Sequence, residues 1–473
     1  MTHRSEYDGV VIGSGPNGLA AAIVLARAGR SVFVVEAADR IGGGMRSAEL
    51  TLPGFTHDVC SAVPAMAPAS PFLRSLPLQE HGLEWIYPRY PLAHPFDDGS
   101  ATILDRSLDI TCQKLGVDGD AYRKLVGPIA ADWNLLEEFL LGPIRIPKHP
   151  IAAARFGLRA LQPATHLAKS SFKSEAGRAL LAGLAAHSVL PLDALASSAI
   201  GLVIGAVAHV KGWPIPKGGS QRIADAMASY LRSLGGEIVT GVRVQSLKDL
   251  PASRIVLCDL SPRGLLEVAG ERLPSGYRHA LTKFIYGPGS FKIDWALRGP
   301  IPWKAAECAQ ASTVHLGDTM QEIARSERDS WRNEICDRPY VILAQPSLFD
   351  SSRAPTGCHT AWAYCHVPSG SEVDMTDRIE SQVERFAPGF RDLILARSTK
   401  SPAQLQCENS NLVGGNITGG ANSLHQILFR PTYRLYATPV KGLFLCSAST
   451  PPGGGVHGMC GYHAATRALA AVR

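Results

Sequence analysis

A glycine-rich turn between an apolar strand and an apolar helix near the N-terminus limits the folds that this chain can adopt. Residues 13–18 read Gly-Ser-Gly-Pro-Asn-Gly, a G-x-G-x-x-G pattern. The apolar run Tyr7–Ile12 precedes the turn, and the alanine-rich run Leu19–Ala28 follows it. A strand, such a turn and a helix together form the first half of a βαβ unit. The pattern therefore predicts an α/β fold with a parallel sheet.

Each part of this unit has a physical role in binding a dinucleotide. Gly13 permits the tight turn, Gly15 lets a diphosphate approach the backbone, and Gly18 lets the helix pack closely on the strands. A second strand, Ser31–Val35, ends in Glu36, whose carboxylate can accept hydrogen bonds from ribose hydroxyls. The free N–H groups and the dipole of the helix start attract the diphosphate. We expect dinucleotide contacts from Gly13, Gly15, Pro16, Gly18, Glu36 and Ala37.

The charge and the cysteines exclude several classes of function. The 473-residue chain has a net charge of +6 and no run of Lys or Arg that could follow a phosphate backbone, so we expect no nucleic-acid partner. Its 10 cysteines include no C-x-x-C pair, which argues against a zinc site and a redox-active disulfide, and we expect no metal. The short polar N-terminus leaves no room for a targeting segment, and free thiols fit a reducing compartment. We therefore expect a cytoplasmic protein.

One apolar stretch bears on membrane contact. Residues 194–210 are apolar apart from Ser197, Ser198 and His209. The stretch is shorter than the roughly 20 residues that a membrane-spanning helix needs. We therefore expect a buried or membrane-facing helix here, and a peripheral membrane contact stays open.

Three later segments extend the dinucleotide motif. A second glycine cluster, Gly42 to Gly44, follows soon after Glu36, although a nicotinamide dehydrogenase does not need one. In the middle of the chain, a helix candidate leads into a second run of glycines and a buried strand. At the C-terminus, a strand and a glycine-rich loop lead into a last helix. The ranges are Gln221–Leu234, Gly235–Val244 and Arg254–Asp259, then Gly442–Cys446, Ser447–Gly455 and Val456–Ala471.

These segments resemble those of the phytoene desaturase-related FAD-dependent oxidoreductases, within the amine oxidase and carotenoid desaturase flavoprotein superfamily. In particular they resemble the branch named for a pyridine nucleotide-disulfide oxidoreductase domain. The resemblance covers nearly the whole chain, including Asn411–Asn416 and Phe429–Pro431. It implies FAD as the cofactor. The positions that match the family's FAD contacts are Gly43, Gly44, Met45, Arg46, Val244, Gly458 and Met459.

In the family, the N-terminus of the last helix faces the N1 side of the flavin, where the reduced ring carries negative charge. The chain departs from the family pattern at two places. Many members have Arg directly after the Gly-Gly pair that corresponds to Gly42 and Gly43, and this chain has Gly44 there. Arg46 could take the place of that Arg. Many members also end the C-terminal strand with Gly-Asp, where this chain has Ser447 and Ala448.

The resemblance also implies a domain layout. We expect an α/β protein with a discontinuous Rossmann-like FAD-binding domain and a second substrate domain of mixed sheet plus helices. The FAD-binding domain is expected at residues 1–110, 211–275 and 401–473. The substrate domain is expected to be helical at 111–210 and to supply a sheet at 276–400.

Periodicity predicts the main elements of the substrate domain. Helix candidates are Asp118–Leu141, Ala152–Leu161, Ser174–Ala186 and Asp193–His209, and strand patterns occur at 280–300 and 338–367. Phe291, Ile293, Trp295 and Leu297 share one face of a strand, opposite Lys292, Asp294 and Ala296. A sheet with one apolar face, covered by helices, would form a wall of a substrate cavity.

Two residues are candidates for catalysis. Lys292 is one, because some amine oxidases of the superfamily hold a water on a lysine near flavin N5. The alternative is a lysine paired with Asp294 or a surface acid. His457 is the other, since it precedes the turn before the last helix. The alternative is a structural histidine with its hydrogen bonds satisfied.

The favoured reaction is a dehydrogenation or desaturation, in which a hydrophobic or conjugated substrate gives a hydride to flavin N5 and oxygen or a quinone reoxidises the flavin. An amine oxidase is the first alternative. It would need an aromatic cage, and the expected positions hold Gly455 and Val456. The second alternative is a non-redox isomerase or a binding protein that retains FAD.

Overall fold

A computed structural model describes residues 5–472. Its strands are β1 Glu6–Ile12, β2 Val32–Val35, β3 Ser47–Glu49, β4 Thr56–Asp58, β5 Trp85–Ile86, β6 Tyr90–Pro95, β7 Ala101–Leu104, β8 Ile215–Pro216, β9 Glu237–Val239, β10 Ala252–Cys258, β11 Gly289–Leu297, β12 Ala311–Leu316, β13 Val341–Ala344, β14 His359–Val367, β15 Ile394–Lys400 and β16 Leu443–Leu445.

Helices surround these strands. They are α1 Pro16–Arg27, α2 Pro71–Arg74, α3 Leu108–Lys114, α4 Gly119–Ala131, α5 Trp133–Leu140, α6 Pro150–Ala160, α7 Ala164–Ser171, α8 Glu175–Ala186, α9 Ser198–Val210, α10 Gln221–Ser233, α11 Pro262–Ala269, α12 Ser275–Thr282, α13 Met320–Trp331, α14 Thr376–Phe386, α15 Pro402–Glu408, α16 Leu424–Leu428 and α17 Met459–Ala471. Within residues 5–472, no helix combines the length and apolarity that crossing a bilayer requires.

A five-stranded parallel sheet in the order β16-β10-β1-β2-β9 forms the first layer. Its strands come from both ends and the middle of the chain, so the sheet is discontinuous. β1 and β10 are neighbours in register, with Gly9 opposite Ile255 and Ile12 opposite Cys258. Strands β2 and β16 read as continuous apolar runs because both faces of a parallel sheet are buried there. The α/β fold with a Rossmann-like sheet is confirmed.

At one point the backbones of helices α1 and α17 are in direct contact, with no side chain between them. A Cβ atom added to Gly461 would lie 1.9 Å from the carbonyl oxygen of Asn17. A Cβ atom on Gly458 would lie 2.9 Å from that of Ala20. This contact ties the C-terminal helix to the helix that follows the glycine turn.

A seven-stranded sheet in the order β15-β11-β14-β13-β12-β6-β7 forms the second layer. It is antiparallel except where β12 runs parallel to β6. Strands β6 and β7 lie inside the predicted FAD-binding segment 1–110, yet they pair in this larger sheet. The apolar face of β11 packs with residues of α14, such as Val383 and Phe386, in a separate core.

Two predicted helices differ from the structure. The run Asp118–Leu141 is two helices, α4 and α5, because the chain turns at Asp132 and buries Trp133. The last predicted helix of the region starts at Ser198 rather than Asp193, because Ala196 has a φ of 64°, which ends helical geometry. Its amide donates to the Leu161 carbonyl instead. Helix α9 is mostly buried. This agrees with the first of the two alternatives for residues 194–210, a buried helix or a membrane-facing one.

Replacing Gly461 with Ala should lower the free energy of unfolding by about 1–3 kcal/mol, because the new methyl group forces α17 away from α1. Gly276 in α12 offers a matched control, since a Cβ atom there meets nothing within 4 Å. Gly276→Ala should leave stability unchanged or raise it by up to about 1 kcal/mol. Denaturant midpoints of the two variants measure the difference, and equal midpoints would contradict the packing argument.

Candidate functional site

The glycine turn forms a cradle that side chains would fill. Gly13 has a φ of 97°, which favours glycine. A Cβ atom on Gly18 would lie 2.1 Å from the Gly13 carbonyl oxygen, and one on Gly15 would lie 2.8 Å from an oxygen of Asp259. Gly13 and Gly15 border a large cavity, whereas Gly18 lies behind it. The start of α1 is thereby accessible to a ligand that carries a diphosphate.

Glu36 is fixed beside this turn by three hydrogen bonds. Its Oε2 accepts from the backbone N–H of Ser14 at 2.8 Å and from the Ser14 hydroxyl at 2.6 Å. Its Oε1 accepts from the Ala38 amide at 2.9 Å. The backbone N–H of Val242 donates to the Glu36 carbonyl, so the returning middle segment lies against the acid. Glu36, Ala37 and Val244 all border the cavity.

The second glycine cluster lies against the first. A Cβ atom on Gly43 would be 3.0 Å from the Cα of Gly15, and Gly42 and Gly43 both have positive φ values. Arg46 donates from Nε to the Gly43 carbonyl at 3.1 Å. Gly43, Gly44 and Arg46 border the cavity, whereas Met45 is fully buried beneath it.

Asp259 is a site residue that was not predicted. Its Oδ2 accepts from the Gly18 amide at 2.9 Å, so a carboxylate already lies at the start of α1. Burial, with a smaller contribution from the charge of Glu36, raises the pKa of Asp259 to about 7, although the hydrogen bond from the Gly18 amide lowers it in part. A signal was available, because Asp259 directly follows β10, and ligands bind at the carboxyl ends of parallel strands.

The C-terminal loop reaches the cavity, but the start of α17 does not. Gly455, Val456 and His457 border the cavity, whereas Gly458 and Met459 do not. The His457 Nδ1 accepts from the Met459 amide at 3.0 Å and so satisfies a donor of the helix start. Burial lowers the pKa of His457 to about 4, which keeps the imidazole neutral. These contacts give His457 a structural role at the helix start as well as a place on the cavity wall.

Lys292 lies behind the cavity wall rather than on it. Its ammonium donates to Asp294, and His57 Nδ1 lies 3.6 Å from the same carboxylate. Burial raises the pKa of Asp294 to about 6. Two cavity residues lie beside Lys292. Tyr364 is opposite it on β14, and Cys60 has a thiol pKa that burial raises and Lys292 lowers in part. The pairing with Asp294 is present, and a catalytic role for Lys292 stays a prediction.

The cavity has a volume of about 1020 Å³ and extends from the glycine turn to the large sheet and to α6 and α9. The sheet contributes Thr313, Ile342, Trp362 and Tyr364. The large sheet thus forms part of the wall, as expected, and the apolar face of β11 is covered by α14 on the side away from the cavity. Trp362 and Tyr364 alternate along β14 and meet edge to face, with ring centroids 5.1 Å apart.

The residues present fit FAD. The glycine cradle accepts a diphosphate, Glu36 offers acceptors for a ribose, and the cavity exceeds the upper range of pockets for drug-sized ligands, about 1,000 Å³. The predicted contacts that border it are Gly13, Gly15, Pro16, Glu36, Ala37, Gly43, Gly44, Arg46, Val244 and His457. The fold and this site define a FAD-dependent oxidoreductase.

Comparisons with known proteins show which FAD-dependent oxidoreductases this chain is similar to. Residues 11–74 match the model of an NAD(P)-binding Rossmann-like domain. The chain is 28% identical to mouse pyridine nucleotide-disulfide oxidoreductase domain-containing protein 2, over 98% of this chain and 93% of the relative. It is 25% identical to a lycopene-forming phytoene desaturase of Pseudescherichia vulneris, over 97% and 98%.

Solved structures share the fold. An oxidoreductase from Methanosarcina mazei superposes with a TM-score of 0.67 at 16% identity, over 97% of this chain and 99% of that one. Putrescine oxidase bound to putrescine gives 0.64 at 17% identity, over 98% and 99%. Over nearly its whole length the chain is thus similar to pyridine nucleotide-disulfide oxidoreductase domain-containing protein 2 and to phytoene desaturases, as its sequence motifs indicated.

FAD binding should weaken as the pH rises through 7. Below that pH Asp259 is protonated, and above it a carboxylate competes with the diphosphate for the amides of the turn. Linkage then predicts a dissociation constant that rises by up to about tenfold per pH unit above the pKa. Titration of the apoprotein with FAD between pH 6 and pH 8.5 measures it.

Asp259→Asn is the matched control, because its amide oxygen can still accept from Gly18 while its charge is lost. The pH dependence of FAD binding should disappear in this variant. An equal slope in the wild type and in Asp259→Asn would contradict the assignment.

Proposed function

We propose that this protein is a dehydrogenase or desaturase that removes a hydride from a hydrophobic or conjugated substrate. Bound FAD supplies the hydride acceptor, flavin N5. The observation that carries the proposal is the wall of the cavity between Phe139 and Trp213. Among the described residues of that wall, His187 is the one ionisable side chain, and the others are apolar or glycine.

The wall is electrically neutral at physiological pH. Burial lowers the pKa of His187 to about 3, so the imidazole is uncharged. Ile200, Val203 and Ile204 of α9 line the cavity, as does Phe156 of α6. A charged substrate would lose its hydration at this wall without an ionic partner, which is costly. An apolar substrate gains free energy there, at about 25 cal/mol for each Å² of apolar surface buried.

The chain's own residues then position the substrate and keep water out. Hydride transfer needs the donor carbon within about 3–3.5 Å of the acceptor in a dry site. The rings of Trp362 and Tyr364 offer an apolar aromatic surface for a conjugated chain. Desaturation also releases a proton, which leaves to water outside the site, because the lowered pKa of His187 makes its imidazole a weak base. Its Nε2 is held at 3.0 Å from Nε2 of His315.

An amine oxidase is the second candidate, and the same aromatic pair favours it. The positions expected for an aromatic cage hold Gly455 and Val456, but β14 supplies Trp362 and Tyr364 to the cavity instead. Two such rings can hold an ammonium group by cation–π attraction. The neutral wall beyond them restricts this candidate to amines with long apolar chains. The remaining candidate, a non-redox role on retained FAD, predicts no flavin reduction by either substrate class.

Anaerobic mixing tests these candidates. The FAD-loaded protein is mixed separately with a conjugated polyene hydrocarbon in detergent and with a long-chain primary amine, and loss of the yellow flavin absorbance is followed. We expect the hydrocarbon to bleach the flavin and the amine to leave it oxidised. Bleaching by the amine alone would establish the second candidate and overturn the first.

A matched pair of variants belongs to the same experiment. Ile200→Asp puts a carboxylate into the neutral wall and should slow bleaching by the hydrocarbon at least tenfold, while FAD stays bound. Ile285→Asp changes a half-exposed residue outside the cavity and should bleach at the wild-type rate.

A further inference from the structure

Arg430 is a buried cation without an anionic partner. It lies on the chain between α16 and β16, and only 2% of the residue is exposed. Its guanidinium forms no ion pair with a carboxylate in the part of the chain that the structure describes. Burial lowers the pKa of Arg430 to about 10, so the group keeps its charge at neutral pH. An unpaired charge in a protein interior is costly, which raises the question of what it stabilises.

Hydrogen bonds to neutral groups fix the guanidinium in place. Nη1 donates to Oδ1 of Asn422 at 2.9 Å. Nη2 donates to the carbonyl oxygens of Thr418 at 2.9 Å and Gly420 at 3.0 Å. Nε is buried and has no acceptor among residues 5–472. These contacts orient the group without neutralising it, and they occupy the edge with which an arginine grips a carboxylate in a bidentate pair. The charge can therefore act on a bound molecule through its electric field.

Arg430 lies where the two ends of the cavity meet. It borders the cavity, as does its partner Asn422. On one side, its Nη1 would be 3.2 Å from a Cβ atom on Gly453, in the loop that leads to α17. On the other side, Asn422 donates from Nδ2 to the carbonyl of Ser188 at 3.0 Å, and Ser188 directly follows His187 of the neutral wall.

The flavin ring of bound FAD belongs at the same boundary. Glu36 offers acceptors for the ribose, and the glycine turn accepts the diphosphate, so the ring must lie beyond the turn on the side away from Glu36. The ring must also reach the remaining space of the cavity, because a substrate has to meet it there. Both requirements place the ring between the glycine turn and His187, which is the region that Arg430 borders.

Other positive groups near the cavity are already engaged. The Met459 amide at the start of α17 donates to His457, so this donor of the helix start has a neutral partner. Lys292 lies behind the wall and pairs with Asp294. Arg46 borders the cavity beside the glycine turn, where it donates to the carbonyl of a glycine of the second cluster. Arg430 is thus well placed to act on the ring itself.

We propose that Arg430 stabilises the negative charge that bound FAD gains on reduction and thereby raises its reduction potential. A hydride brings two electrons and one proton to flavin N5, and the added negative charge spreads over N1 and the C2 carbonyl oxygen. A fixed positive charge in a dry site stabilises such a charge without reorganising at the moment of reaction. The proposal concerns the flavin and holds for any substrate that reduces it.

Sulfite binding measures this stabilisation without a substrate. The sulfite lone pair forms a bond to flavin N5, and the ring takes up the negative charge. In the FAD-loaded protein, Arg430→Gln removes the cation and Arg430→Lys keeps it. The dissociation constant of sulfite should rise at least tenfold in Arg430→Gln and stay close to the wild-type value in Arg430→Lys. The midpoint potential of Arg430→Gln should fall by about 30 mV or more, which is the same tenfold change for a two-electron couple.

A second variant neutralises the guanidinium without removing it. Asn422→Asp places a carboxylate on the atom that accepts from Nη1, and it should weaken sulfite binding as Arg430→Gln does. It decides the test if Arg430→Gln does not retain FAD. Arg434→Gln is the matched control, because Arg434 is partly exposed, lies four residues further on and does not border the cavity. This control should bind sulfite like the wild type.

The outcomes separate an electrostatic role from a structural one. Equal sulfite affinities in the wild type, Arg430→Gln and Asn422→Asp overturn the proposal, as does a wild type that binds no sulfite. Equal losses in Arg430→Gln and Arg430→Lys, with Asn422→Asp unchanged, also overturn it, because Arg430 would then only support residues 418–422. Weaker FAD binding at an unchanged potential would assign the charge to the diphosphate and overturn it too.

These readouts do not depend on the dehydrogenase proposal. Sulfite affinity and midpoint potential need no substrate. A protein with the expected potentials whose flavin no substrate bleaches contradicts the dehydrogenase proposal alone. A protein whose flavin is bleached, and whose potential is the same in the wild type, Arg430→Gln and Asn422→Asp, contradicts the role of Arg430 alone.

Discussion

The start of α1 is the point where three distant parts of the chain meet with almost no side chains between them. Gly18 brings the helix to within contact of the Gly13 carbonyl, and Gly461 brings α17 against Asn17. Asp259 arrives from β10 and accepts the Gly18 amide. Larger residues at these glycines would separate the elements and close the cradle. The stability of the fold and the opening for a diphosphate therefore depend on the same close approach.

The cavity follows from this arrangement because the two sheets meet at its walls. The parallel sheet supplies the polar end, where Glu36 and the glycines lie, and β14 supplies the aromatic pair. The helices α6 and α9 close the remaining side with apolar residues. The polar end that would hold the cofactor and the neutral end that would hold the substrate are thus two parts of one cavity. The half-exposed side chains of Ile144 and Leu161 continue the neutral end to the surface.

The sequence predicted what depends on local pattern and on motif. The strand, turn, helix and acid from β1 to Glu36 are local, so residue types alone locate them, and the discontinuous sheet followed from the family resemblance. Asp259 was missed because its partner, Gly18, lies 241 residues away and becomes a neighbour only when β10 pairs with β1. The alternation on β11 was visible, but a period of two does not tell which face meets the cavity. Helix α9 begins only after Ala196 because that residue has a positive φ, which an alanine in the sequence does not predict.

The most direct test of the account measures FAD binding by the wild type and by Glu36→Ala, with Asp39→Ala as the control at an exposed acid three residues further on. The account predicts one FAD per wild-type chain, because one cradle leads into one cavity. It predicts a dissociation constant at least tenfold higher in Glu36→Ala and an unchanged one in Asp39→Ala, with all three proteins folded. A colourless wild type that FAD cannot reconstitute, or equal affinities in the wild type and Glu36→Ala, would contradict it.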